Sequence, residues 1–252
     1  MMTSNKVVFF DVFDTLVTPN RGYLEPHFTR EIDRMGDIGQ LRTAEQTIAA
    51  IADVAIQNGN VQFFADHSPQ EMARYYETCM SKSIKNVDTS VLQMLSTLKA
   101  NGCRLCAVSD AACVDVADWQ NSPLAAYFDD TVFSCDVGHI KPDVELFEIA
   151  KRRMGNPQQC IFVGDGGHDE LQGARMSGMR TVKAEWLKCR DDETIYANAD
   201  YVVKTPDRLQ FVVNNVSFGK KSARRLPSMG EDLLQQSESQ QQNESVGDFG
   251  SD

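Results

Sequence analysis

A three-layer α/β fold on a parallel sheet, interrupted by a helical bundle and followed by a disordered tail, is what this 252-residue sequence predicts. Three observations carry that prediction. Short β-branched and aromatic runs end repeatedly in a carboxylate or hydroxyl. Those runs alternate with stretches of helical period, the pattern of a parallel sheet covered on both faces. One interval of about 70 residues after the first run has helical period without a clear strand.

The first strand is Val7-Val8-Phe9-Phe10, which stops at Asp11 and is followed by Val12-Phe13-Asp14-Thr15-Leu16. A buried strand that ends in a charge has left the sheet, and in open α/β sheets ligands bind at that exit. The plain alternative is an Asx-turn in which Asp11 and Asp14 only cap backbone groups. After a turn at Thr18 to Gly22, Leu24, Phe28, Ile32 and Met35 recur at helical spacing, as do Ile48, Ile51, Ala52, Ala55 and Ile56. A third helix begins near Ser68-Pro69, with serine as N-cap, proline in the first turn and Glu71 three residues on. It carries Met72, Tyr75, Tyr76 and Cys79 inward. The one strand candidate here is Val61 to Phe64. Residues 19–88 therefore form the inserted bundle, and 1–18 with 89–216 form the α/β domain.

In the second part, Val91, Leu92, Leu95 and Leu98 share a helix face closed by Asn101-Gly102. A strand over Arg104 to Val108 ends in Ser109-Asp110, and helical residues follow from Val114 to Trp119. The strand Thr131 to Ser134 leads through Lys141-Pro142 into a helix from Asp143 to Met154. The strand Cys160 to Val163 ends in Gly164-Asp165, and a helix from His168 to Met176 is closed by Gly178. Arg180 to Ala184 and Tyr201 to Val203 are two further strands, the latter followed by a helix over Leu209 to Val213. Residues 217–252 pass from the basic Lys220 to Arg225 into Gln and Ser runs with six acids beyond Leu226. Such a segment buries too little apolar surface to offset its ordering entropy and is expected to be disordered.

A formal charge of −11 and a sequence pI near 4.8 argue against a nucleic-acid binder and against an anionic membrane as partner. A metal ion with one or two focused cations still permits an anionic substrate. Seven cysteines at irregular spacing suit a reducing compartment rather than a disulfide framework. Cys103 and Cys106 stand three apart on a strand, so they face opposite ways. With neither a secretory signal nor a membrane span, a cytoplasmic setting is expected.

Asp11, Ser109 and Asp165 end three strands of one sheet edge, and Lys141 starts a helix nearby. Two carboxylates at such an edge, with Glu170 or Asp169 a turn later, suit Mg²⁺. Together with lysine and a hydroxyl they can hold a phosphoryl group while a carboxylate attacks it.

Four stretches, Phe10-Asp-Val-Phe-Asp-Thr-Leu16, Cys106-Ala-Val-Ser-Asp110, Gly138-His-Ile-Lys-Pro-Asp143 and Val163-Gly-Asp-Gly-Gly-His-Asp-Glu-Leu-Gln-Gly-Ala174, resemble the motifs of the haloacid dehalogenase superfamily, most of whose members are Mg²⁺-dependent phosphatases. The resemblance implies a Rossmann-like core, Asp11 as nucleophile and metal ligand, and substrate-binding roles for Ser109, Lys141 and Thr15. It also implies metal ligation by the Phe13 carbonyl, Asp165 and Glu170, with Asp169 as the alternate second acid. The inserted bundle resembles the family's mobile cap, which selects a small phosphorylated or halogenated substrate.

Family phosphatases carry a second aspartate two residues after the nucleophile, as acid for the leaving group. Phe13 stands there instead, a loss that typically costs on the order of 10²–10⁴ in rate. Asp14 is the alternative acid. Dehalogenation, where halide leaves unprotonated, is a second reading, and a Mg²⁺- and phosphate-binding regulatory module without turnover is a third. His139 and His168 read as solvated or capping loop residues and Trp119 and Trp186 as packing. Among Arg21, Arg30, Arg34, Arg42 and Arg74, one or two are candidates to meet substrate from the cap.

Overall fold

Val8 and Phe10 of the first strand face one way and Val7 and Phe9 the other, and all four are fully buried. A strand apolar on both faces needs cover on both, which is why β1 (Lys6–Phe10) sits mid-sheet. The computed structural model describes residues 6–59, 62 and 65–218. The strand candidate at Val61 to Phe64, apart from Gln62, and the expected tail disorder beyond Phe218 lie outside those residues.

β1 pairs in parallel with β2 (Arg104–Ser109) and with β4 (Gln159–Gly164). With β3 (Asp130–Phe133), β5 (Arg180–Ala184) and β6 (Tyr201–Val203), the parallel sheet runs β3-β2-β1-β4-β5-β6. The chain winds outward from β1 on one side and returns to β4 on the other. The reversal lies between β1 and β4, where the C-terminal strand edge opens a crevice.

Between β1 and β2 come a 3₁₀ turn (Gly22–His27) and helices α1 (Arg30–Asp37), α2 (Ala44–Gln57), α3 (Pro69–Lys85) and α4 (Thr89–Ala100). The expected capping box is present at Ser68 and Glu71, and a second one starts α2 at Thr43 and Gln46. Both satisfy orphan N–H groups at the helix start. Leu24, Ile32, Ile48, Ile51, Met72, Tyr76 and Met80 form the core of this cap. Ala112 and Val114 from the loop after β2 join it, while Ile84 near the end of α3 packs with the sheet-side cluster. Cap and sheet thus share a packed seam. Tyr76 anchors it by donating from its hydroxyl to Asp115 Oδ1 at 2.5 Å.

After β3 the chain forms α5 (Ser134–Val137) and α6 (Val144–Arg153); after β4 it forms α7 (Glu170–Met176), and α8 (Glu193–Asn198) and α9 (Pro206–Asn215) follow β5 and β6. Cys103 packs in one sheet-face cluster and Cys106 in the opposite one, as their spacing predicts. All seven cysteines are unpaired thiols. No helix among the described residues is long and apolar enough to cross a membrane.

Three local expectations are corrected, and one helix is not anticipated by the sequence. Val114 to Trp119 forms turns ending in a short 3₁₀ segment, Trp119–Asn121, instead of a helix. Asp115 closes a side-chain turn by accepting from the Ala112 N–H at 2.9 Å, which competes with helical bonding. The third strand ends at Phe133, because Ser134 already opens α5. The helix expected from His168 begins at Glu170, because His168 and Asp169 take positive φ of 52° and 53°. α8 lacks the apolar period that would have revealed it and has no buried residue.

Candidate active site

The ladder continues one residue past β1, with the Asp11 N–H donating to the Val163 carbonyl at 2.9 Å. This fixes Asp11 at the crevice while its buried side chain leaves the sheet. Its Oδ2 accepts from Thr15 Oγ1 at 2.9 Å, and its Oδ1 accepts from Lys141 Nζ at 2.5 Å and Ser109 Oγ at 3.4 Å. Thr15 Oγ1 also accepts from the Asp165 N–H at 3.1 Å, tying the β1 exit to the β4 exit.

Lys141 Nζ reaches Glu170 Oε2 at 2.7 Å, and the Gly166 N–H donates to Glu170 Oε1 at 2.8 Å. Glycine at 164 leaves room for this Glu170 placement, since a Cβ would fall 2.0 Å from Glu170 Oε1 and displace it. Asp165 accepts from the Gly167 N–H at 3.0 Å and from Arg190 Nε. Arg190 and Lys188 also reach Asp14 Oδ2, at 3.5 and 2.6 Å.

Oxygens of Asp11, Asp165 and Glu170 lie within 4.8 Å of one another, all buried. Burial pushes the Asp11 carboxyl up, against the pull of Lys141, and raises Glu170 to about 8; the mutual repulsion of the three acids adds to both. Lys141 is buried too, but Asp11 and Glu170 hold its pKa above the ordinary lysine value. Three carboxylates face two cations, Lys141 and Arg190, and Arg190 is shared with Asp14. An all-oxygen donor set of this kind fits a hard divalent cation, whose charge would favour the ionised form of Glu170.

A cavity of about 340 Å³ opens over this cluster between sheet and cap. Asp11, Phe13, Ser109, Lys141, Asp165 and Glu170 all line it, so six of the seven expected site residues meet there. The seventh, Thr15, is fully buried behind Asp11 and is not among the lining residues, so the structure gives it no contact surface for substrate. Asp169 is exposed, and it is Glu170 that joins the acidic cluster. Phe13 is partly buried against both the sheet-side and the cap clusters. Asp14 takes a positive φ of 62° and turns its carboxylate to Lys188 and Arg190.

His168 is exposed, as the loop reading expects, and it also lines the cavity, with its Nδ1 3.1 Å from Asp110 Oδ2. Its pKa is raised, chiefly by that hydrogen bond. His139 stays an exposed partner of Asp143 at 2.6 Å. Of the five cap arginines only Arg21 lines the cavity, its guanidinium 4.0 Å from the Phe28 ring centre and 3.5 Å from Asp33. Trp119 is packed in the core, while Trp186 Nε1 donates to the Thr15 carbonyl at 2.7 Å. Asp37, Asp110, Lys188 and Arg190 were not singled out as site residues from the sequence. No motif or period marks Asp37 or Arg190, whose neighbours are loop-like; Asp110 was visible beside Ser109 as a strand-end acid.

A family model described as haloacid dehalogenase-like hydrolase matches residues 5–178. The chain is 26% identical over 219 residues to glyceraldehyde 3-phosphate phosphatase of Methanothermobacter thermautotrophicus, covering 79% of this chain and 91% of that protein. It is 22% identical over 200 residues to the pyrimidine 5'-nucleotidase YjjG of Escherichia coli, covering 74% and 87%. Among solved structures, a dehalogenase superposes with a TM-score of 0.63 at 16% identity, covering 84% of this chain and 98% of that one. A predicted phosphoglycolate phosphatase from Haemophilus somnus gives 0.61 at 19%, covering 84% and 99%. At such identity these structures establish the fold alone. The matched family model extends from β1 through the Asp165 motif, and the chain is a member of the haloacid dehalogenase-like hydrolases.

Proposed function

We propose that this chain is a Mg²⁺-dependent phosphatase that transfers a phosphoryl group to Asp11 from a small phosphorylated substrate. The observation that carries the reading is the convergence on Asp11 of Lys141, Ser109 and Thr15, beside the buried Asp165–Glu170 pair. Asp11 Oδ1 attacks phosphorus as the bond to the leaving oxygen breaks, giving an aspartyl phosphate. Water then attacks that phosphorus, releasing phosphate and restoring Asp11. Lys141 and Ser109 hold the charge that develops on the phosphoryl oxygens. Thr15 keeps Asp11 oriented from behind the cavity. Asp11, Asp165, Glu170 and the Phe13 carbonyl would hold Mg²⁺, which supplies charge neutralisation for two anions brought together. Residues 19–88 act as the cap that closes over the substrate. Relatives named as phosphatase and nucleotidase support a phosphate ester as substrate. The seven free thiols support a reducing, cytoplasmic setting.

Mass spectrometry of the chain quenched in acid during turnover tests the covalent step. A phosphate adduct on the peptide carrying Asp11, cleaved by hydroxylamine, is expected; an adduct elsewhere would overturn it. Hydrolytic dehalogenation is the second reading, favoured by Phe13, since a halide needs no proton. The metal-suited carboxylate cluster favours phosphoryl transfer over it.

A further inference from the structure

We propose that Asp37, at the end of cap helix α1, is the proton donor to the leaving group, supplying from the cap the acid that Phe13 cannot. The inference rests on the phosphatase reading above. Asp37 lines the cavity, is only 7% exposed, and its carboxylate makes no hydrogen bond or ion pair among the described residues. Every other acid lining that cavity is engaged. Asp11 and Glu170 hold Lys141, Asp14 and Asp165 hold Arg190, and Asp33 and Glu25 face Arg21. Asp115 takes Tyr76 and the Ala112 N–H, and Asp110 takes His168 and the Lys141 N–H. No donor among the described residues engages this carboxyl and its oxygens are not sealed from solvent, so they open to the cavity, where a leaving group would stand.

The cap helix seats Asp37 by close contact. Gly36 lies so near Ala112 that a Cβ there would stand 3.1 Å from the Ala112 Cβ. Asp37, Asp110 and His168 then bring their polar atoms within 4.8 Å of one another, spanning cap, β2 exit and β4 exit. Burial and the Asp110 charge raise the Asp37 carboxyl to about 8; His168 and Lys141 oppose this, and Asp33 adds to it. It therefore carries its proton at neutral pH, as a leaving-group acid must.

The proton inventory closes. As the Asp11–phosphorus bond forms, the electron pair of the breaking bond passes to the leaving oxygen, which takes the Asp37 proton. The Asp37 carboxylate then takes a proton from the water that attacks the aspartyl phosphate, and phosphate departs.

The test compares wild type and Asp37→Asn, as full-length protein with Mg²⁺, on para-nitrophenyl phosphate and on glycerol phosphate. The nitrophenolate group leaves without much protonation; the alkoxide does not. Asp37→Asn is expected to reduce kcat on the alkyl ester by about 10²–10⁴. The aryl ester should suffer at least about tenfold less, and the basic limb of the wild-type pH profile should vanish. Adding Phe13→Asp to the Asp37→Asn variant should recover alkyl turnover, which a merely misfolded variant could not do. Equal losses on both esters, a preserved basic limb, or a wild type without alkyl turnover would each overturn the proposal. If aryl turnover itself does not depend on Asp11, the phosphatase reading fails; if it does and the alkyl-selective loss is missing, only the role of Asp37 fails.

Discussion

The Phe13 ring stands two residues beyond Asp11 and packs against both the sheet-side core and the cap core. Phe13, at the position where the family resemblance implies an acid, therefore joins cap to sheet. Phe13→Asp is expected to destabilise the fold by about 1–3 kcal/mol, read as a lower Tm. Because Asp37 already supplies the proton in the otherwise wild-type chain, a gain in glycerol phosphate turnover should appear only in the Asp37→Asn background. An unchanged Tm would contradict the packing role, and a large gain in the wild-type background would mean that Asp37 does not already serve as the acid.

Asp165→Asn removes one charge from the cluster while leaving Arg190 in place. Mg²⁺ affinity, measured by calorimetry, should fall by about tenfold or more. An unchanged affinity would show that the cation, if bound, lies elsewhere.

Lys141→Met leaves Asp11 and Glu170 buried without their shared cation. Breaking a buried pair in this way costs about 3–5 kcal/mol. The loss should depend on pH. The Glu170 carboxyl already titrates near 8, above its unfolded value, so its neutral form is the one the fold favours. Destabilisation by Lys141→Met should then be smallest near pH 5 and grow toward about pH 9, as the wild-type Glu170 ionises beside Lys141 through about 8 and the variant's cannot. Chemical denaturation at both pH values, with chelator present, would check this, and a pH-independent loss would count against it.

Asp37 gives the cleaner sign. Its folded pKa of about 8 exceeds the unfolded carboxylate value, so its contribution is fully present below about pH 4 and is lost as pH rises through 8. Asp37→Asn, which cannot ionise, should match wild type near pH 4 and exceed it near pH 8 by on the order of 1–3 kcal/mol. Thermal melts across that range decide the matter; a variant less stable than wild type at pH 8 would mean that Asp37 is held as an ion.

Much of the site was legible because it hangs on strand ends. Val7 to Phe10, Arg104 to Val108 and Cys160 to Val163 announce buried strands by composition, and the residue after each run must leave the sheet at one edge. Glu170 was separable from Asp169 by its distance from Ala174, and the structure brings Glu170 to the cluster. Val114 to Trp119 reads as helical in sequence because its apolar residues at near-helical spacing serve two cores, with Val114 in the cap and Val116 and Trp119 against the sheet. Asp37, Lys188 and Arg190 escaped notice for a related reason. Their positions depend on how the cap and the segment after β5 fold back over the crevice, and no local period encodes that.

The most direct measurement is hydrolysis of para-nitrophenyl phosphate by wild type and Asp11→Asn, each with Mg²⁺ and with chelator. Its leaving group needs little help from an acid, so the assay isolates the nucleophile and the metal. Turnover that requires both Asp11 and Mg²⁺ is the expected result. Turnover that survives Asp11→Asn or chelation, or none in any condition while a 2-haloacid releases halide, would contradict phosphoryl transfer at this site.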